Sequence, residues 1–131
     1  MRSLPCRSDW RAAATIAIHE LSLMMALADQ VLAAAEREGA DRVTVIHLKV
    51  GTLAGVDPQS LATAAEVVLA GTCAEGARLA IESVPAVRWC SPCAGEFVAD
   101  GGLSPCPLCG TPSAILLRGR EFILRAIEIL P

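Results

Sequence analysis

Four of the six cysteines stand in two matched pairs, Cys90-Ser91-Pro92-Cys93 and Cys106-Pro107-Leu108-Cys109, with twelve residues between the pairs. Two thiolates in a CxxC spacing reach one ion from a single tight turn, and two such turns close a tetrahedral four-sulfur shell of the kind zinc prefers. The segment around them, residues 86–117, is short enough that a module of its size generally needs a staple to fold. It is therefore predicted to owe its fold to metal. Gly95 and Gly110, just past the two knuckles, are expected to supply the bends that turn backbone amides toward the sulfurs.

Other chemistries of the quartet are less consistent with its pattern. Two disulfides call for an oxidising compartment, and a redox CxxC is expected once beside a βαβ unit instead of twice in matched form. Iron remains open, because tetrahedral thiolate suits both metals. A closed four-thiolate shell has no position for water or substrate, so the site is read as structural and the chain as not an enzyme. The working site has to lie elsewhere.

Charge narrows the class further. Across 131 residues the net charge is −3, with eleven Lys plus Arg scattered among fourteen acids, a single Lys, no Tyr and two each of Phe and Trp. A nucleic-acid-binding ribbon is expected to show a basic face and stacking aromatics, so no nucleic-acid partner is expected. Arg2, Arg7 and Arg11 precede an apolar stretch from Ala12 to Ala28, the outline of a secretory signal. His19 and Glu20 interrupt that stretch and it runs on into an amphipathic helix, so a cytoplasmic location and no membrane contact are expected.

Periodicity places the rest. From Glu20 to Arg37, Leu21, Met24, Met25, Ala28, Val31, Leu32 and Ala35 recur at helical spacing, and Gly39 is a good residue to end the helix. Residues 42–50 alternate, with Thr44, Ile46, Leu48 and Val50 on one face and Val43, Val45, His47 and Lys49 on the other. Asp57-Pro58 reads as an N-cap with proline at the first helical position, opening a helix to about Ala70. Strands are expected over Leu79–Val84 and Glu121–Leu130, one on each side of the cysteine region. The fold class is thus α+β: two helices on a three-stranded sheet, carrying an inserted four-cysteine, zinc-ribbon-like domain.

Within this frame Ile18-His19-Glu20-Leu21 resembles the Met-His-Glu start of the HypA family of hydrogenase maturation nickel metallochaperones. Gly51-Thr52-Leu53-Ala54-Gly55-Val56-Asp57-Pro58 is similar to that family's G-x-L-x-G-V-x-P segment. Glu75-Gly76-Ala77-Arg78-Leu79, the paired knuckles and Gly119-Arg120-Glu121-Phe122 follow in the family's order, and coverage runs from about Ile18 to the end. The resemblance implies a nickel-binding α/β domain, residues 18–85 and 118–131, and a zinc-binding domain, residues 86–117. It implies transient Ni(II) at His19 with Glu20, structural Zn(II) at Cys90, Cys93, Cys106 and Cys109, and an acidic neighbour at Asp57. It also implies a maturation GTPase and the large subunit of a nickel–iron hydrogenase as partners, with homodimerisation left open.

Residues 1–17 depart from that pattern, since Ile18 stands where the family's initiating Met belongs. The segment is either a disordered extension or the product of a start placed too far upstream. Imidazole and ionised backbone amides suit square-planar Ni(II), and a preceding extension would replace the terminal amine near His19 by an amide.

Several residues have simpler readings. A histidine near a helix start is more often a surface or capping group, and Glu20 in a first turn is explained by the helix dipole. His47 reads as a half-buried structural histidine, Met24 and Met25 as core, Cys73 as a small buried apolar residue, and Trp89 as a shield beside the first knuckle. The competing functional class is a zinc-ribbon interaction module in a transcription or RNA-processing assembly. A thiol redox protein is a third.

Overall fold

A computed structural model describes residues 18–99 and 105–131 of the chain. Cys6 and the amino-terminal segment expected as an extension lie outside the described residues. Helix α1, Ile18–Arg37, ends where the apolar spacing predicts and begins two residues before Glu20. Its inner face is Met24, Leu27, Ala28, Val31, Leu32 and Ala35, each no more than 4% exposed. Gly39 takes φ 63°, Ala40 N–H donates to the Ala35 carbonyl and Gly39 N–H to that of Glu36. That pair of bonds around a left-handed residue is the Schellman ending, for which a glycine avoids the Cβ penalty.

Strand β1, Arg42–Gly51, turns Ile46, Leu48 and Val50 into the core. Val43 departs from the expected alternation: it is fully buried although it lies on the other face. Its N–H donates to the Cys73 carbonyl, and the buried turn of Thr72, Cys73 and Ala74 covers that end of the strand. Cys73 is buried, as expected.

Helix α2, Pro58–Val68, packs on α1 and buries Leu61, Ala64, Ala65 and Val68. It ends two residues short of the predicted Ala70, with Leu69 as C-cap. Strands β2, Arg78–Val84, and β6, Phe122–Leu130, flank β1 in the order β2-β1-β6. Asp41 N–H bonds the Leu130 carbonyl at one end of β1 and Gly51 N–H the Glu121 carbonyl at the other, so β6 runs antiparallel to β1. The expected α+β fold of two helices and a three-stranded sheet is the one found.

Between β2 and β6 the chain builds a second three-stranded sheet, order β4-β3-β5, from β3, Val87–Cys90, β4, Gly95–Val98, and β5, Leu116–Arg118. Both pairings are antiparallel. The chain divides into two compact units. One holds α1 and the chain up to Leu48 with Val56–Ala80 and Leu124–Pro131; the other holds Lys49–Gly55 and Ile81–Ile123.

Candidate metal centre

The first knuckle is a hairpin turn. Cys90 ends β3 and pairs directly with Gly95, the first residue of β4, so Ser91 to Ala94 must reverse the chain. The bend falls on Ala94, at φ 51°, with its N–H donating to the Ser91 carbonyl. Gly95 was expected to supply this bend, but it is already committed to the strand ladder, so the residue before it takes the left-handed conformation. At the second knuckle Gly110 does adopt φ 74° as expected, donating its N–H to the Cys106 carbonyl. Cys106 N–H in turn bonds the Thr111 carbonyl, and a bridge between Pro105 and Pro112 closes the loop.

These two turns bring all four sulfurs within 4.8 Å of one another. A tetrahedron with zinc–sulfur bonds of about 2.3 Å has sulfur–sulfur edges of about 3.8 Å. The Cys90 and Cys109 sulfurs are 3.4 Å apart and no pair exceeds 4.8 Å, a range that includes that edge. Cys90 and Cys106 are buried while Cys93 and Cys109 reach the surface. The donor set is four thiols with no oxygen or nitrogen ligand, which fits zinc and leaves no open coordination position.

As free thiols Cys93 and Cys109 are shifted in opposite directions. Hydrogen bonding with the Thr111 side chain, 3.3 Å away, brings Cys109 down to about 6. The thiols of Cys109 and then Cys90 push Cys93 up to about 12. Four anionic sulfurs this close repel one another, and a divalent cation is the group that allows all of them to ionise together.

The quartet is the one converging cluster of metal-ligating side chains among the described residues. His19 and Glu20 behave differently, although they are adjacent in the first turn of α1. His19 is exposed and has no hydrogen-bond partner among the described residues. Glu20 is only 6% exposed, and its carboxylate accepts the Asp57 N–H at 3.3 Å. The Asp57 carboxylate accepts from the Ser60 N–H at 3.0 Å and from the Ser60 hydroxyl at 2.7 Å, which lowers its pKa. Both acids thus serve backbone ends, and the imidazole between solvent and the helix is the donor left available. His47 is half-buried and bonds Glu128 at 2.7 Å, in keeping with a structural role.

Sequence reasoning passed over Arg88, Thr111 and Ser113. Arg88 is 6% exposed and Ser113 is 9% exposed. The alternation Val87-Arg88-Trp89-Cys90 is the signal that was available: it places a charged side chain on the same strand face as a metal ligand.

Known proteins share this organisation. The family model described as "Hydrogenase/urease nickel incorporation, metallochaperone, hypA" matches residues 18–129. The chain is 38% identical over 112 residues to the hydrogenase maturation factor HypA of Chlorobium limicola, covering 86% of this chain and 97% of that protein. It is 44% identical over 115 residues to the same factor of Streptomyces avermitilis, covering 85% and 86%. The solution structure of the nickel metallochaperone HypA from Helicobacter pylori superposes with a TM-score of 0.61 at 20% identity, over 85% of this chain and 97% of that one. This last likeness concerns the fold.

Proposed function

Because the chain belongs to the HypA family of hydrogenase and urease nickel-incorporation metallochaperones, we propose that it binds Ni(II) at the start of α1 and delivers it to a nickel–iron hydrogenase under maturation. The observation that carries this reading is the exposed imidazole of His19 beside a Glu20 carboxylate that is buried and already bonded. Ni(II) accepts planar nitrogen ligation, so the imidazole with neighbouring backbone amides forms a suitable set. Glu20 is the supporting residue, holding the first turn of α1 against the Asp57 amide.

Zn(II) in the quartet supplies the contrasting site. Cys90, Cys93, Cys106 and Cys109 hold the ion in a closed shell, where its role is to tie the two knuckles together. Nickel, the cargo, has to leave, and an exposed site on a helix end permits that. The division we propose gives residues 18–85 and 118–131 to nickel and 86–117 to zinc. The partners in this reading are a maturation GTPase and the hydrogenase large subunit, in the cytoplasm. No bond of a substrate is made or broken, so the protein acts as a carrier.

His19→Ala is expected to abolish stoichiometric nickel binding and hydrogenase maturation while zinc content and circular dichroism stay unchanged. One nickel retained per variant chain would overturn the assignment.

A further inference from the structure

The second unit buries a cation that has no counter-charge among the described residues. Arg88, inside β3, is 6% exposed. Its Nη1 donates to the Ser113 carbonyl at 3.3 Å, while Nε is buried with no hydrogen-bond partner among the described residues. The ion pairs found among those residues are His47–Glu128, Lys49–Glu82 and Arg118–Glu96, so no carboxylate among the described residues answers Arg88. Glu96 lies opposite Trp89 in the register and is paired with Arg118 at 2.8 Å. An arginine taken out of water without an anion is costly, and such a residue persists where something nearby compensates it.

The strand geometry shows what that is. Side chains two positions apart on a strand leave the same face with about 6.6 Å between their Cα atoms, and Arg88 and Cys90 stand in that relation. Arg88 is also directly opposite Phe97, which packs in one buried cluster with Cys90, Ala99 and Cys106. The guanidinium therefore shares its face with one metal-ligating sulfur and with the core that holds a second. It also grips the segment following the second knuckle, since Ser113 lies two residues beyond Thr111, the partner of Cys109. Four thiolates around a divalent ion carry a net charge of about −2, an anion of the sign and place that Arg88 needs.

We propose that Arg88 is the counter-cation of the metal–thiolate centre, a positioning residue whose charge stabilises the loaded quartet. This inference rests on the reading of the quartet as a zinc centre. It follows that the charge of residue 88 sets metal affinity, and that loss of the ion strands a buried cation and couples metal release to loosening of this unit.

The test uses the full chain and Zn(II) alone, titrated in competition with a chromophoric chelator. Arg88→Met and Arg88→Gln are expected to weaken zinc binding about 10- to 100-fold, the range for outer-shell partners of a metal site, whereas Arg88→Lys stays near wild type. In Co(II)-substituted protein the thiolate-to-metal charge-transfer band is expected at longer wavelength in the two neutral variants and unmoved in Arg88→Lys. Removing a nearby positive charge raises the energy of the sulfur electrons; a loss of packing does not. Should Arg88→Met fail to fold, Arg88→Gln, which keeps a donor for Ser113, carries the comparison. Wild-type affinity in the neutral variants would overturn the proposal, as would an equal loss in Arg88→Lys. A wild-type chain that took up no zinc would overturn the quartet's assignment together with the role of Arg88. Nickel binding at His19 is decided by neither outcome.

Discussion

The carboxylate of Glu20, in the first turn of α1, accepts the backbone N–H of Asp57, the N-cap of α2, at 3.3 Å. One partly buried bond thereby ties the residue next to the proposed nickel ligand to the start of the second helix. Glu20→Gln keeps an oxygen acceptor at that amide, so its nickel stoichiometry is expected to match wild type. Glu20→Ala leaves the Asp57 N–H without its partner, at a cost of about 1–3 kcal/mol in stability by urea denaturation, and is expected to weaken nickel binding as well. If Glu20→Gln alone lost nickel, Glu20 would be a ligand instead of a support.

A second close approach explains Gly51 of the sequence motifs. A Cβ built on Gly51 would lie 2.0 Å from the Gly119 carbonyl oxygen and 2.6 Å from the Arg120 nitrogen. Backbone on both sides leaves nothing flexible to yield, and Leu53 N–H already bonds the same Gly119 carbonyl at 2.7 Å. Gly51→Ala is expected to cost about 4 kcal/mol or more, in the range reserved for severe strain. Gly39→Ala, at φ 63° with open space around it, should cost only about 1–2 kcal/mol. Equal losses in the two variants would rule out the backbone clash as the cause.

Metal removal should act on one unit more than the other. Cys93→Ala, or chelation of the wild type, is expected to abolish zinc content and the hydrogen-exchange protection of β3, β4 and β5. Amides of α1 should keep theirs, because that helix rests on its own buried face. Uniform loss of protection across the chain would refute this.

Acid should weaken the cap of α2. The Ser60 hydroxyl, followed by the Ser60 amide, holds the Asp57 carboxyl below its usual 3.8. The folded state then binds the proton less readily than the unfolded one, so stability rises with pH through this range. The contribution is fully present above 3.8 and is lost as pH falls through the lowered value. Asp57→Asn keeps a capping oxygen without the titration, so the fall in Tm from pH 7 to pH 3 is expected to be smaller than in wild type. Glu96 and Glu121, also shifted down, by Arg118 and by the Gly119 amide, account for a remaining decline.

The elements longest in the chain were the most legible in it. Twenty residues of α1 and ten of β1 repeat their periods often enough to be recognised, and Asp57-Pro58 and Gly39 carry their capping chemistry in their side chains or lack of one. Strands β3, β4 and β5 have four, four and three residues, too few for alternation to stand out, and none was anticipated. The knuckles were legible because ligand spacing is a property of neighbours along the chain. Which residue bends the first one was not, because strand pairing took Gly95 and left the turn to Ala94.

By itself, then, the sequence determined the local matters: where the two helices start, which four cysteines meet, and which histidine stands at the head of α1. Tertiary structure alone decided that β6 returns beside β1, that Val43 is covered by the turn at Cys73, that Glu20 is buried on the Asp57 amide, and that Arg88 is enclosed with no acid beside it among the described residues. The physical reason is range. Caps, turns and chelate spacing are settled among residues a few positions apart, whereas burial and charge compensation depend on partners separated by tens of residues, which only the folded chain brings together.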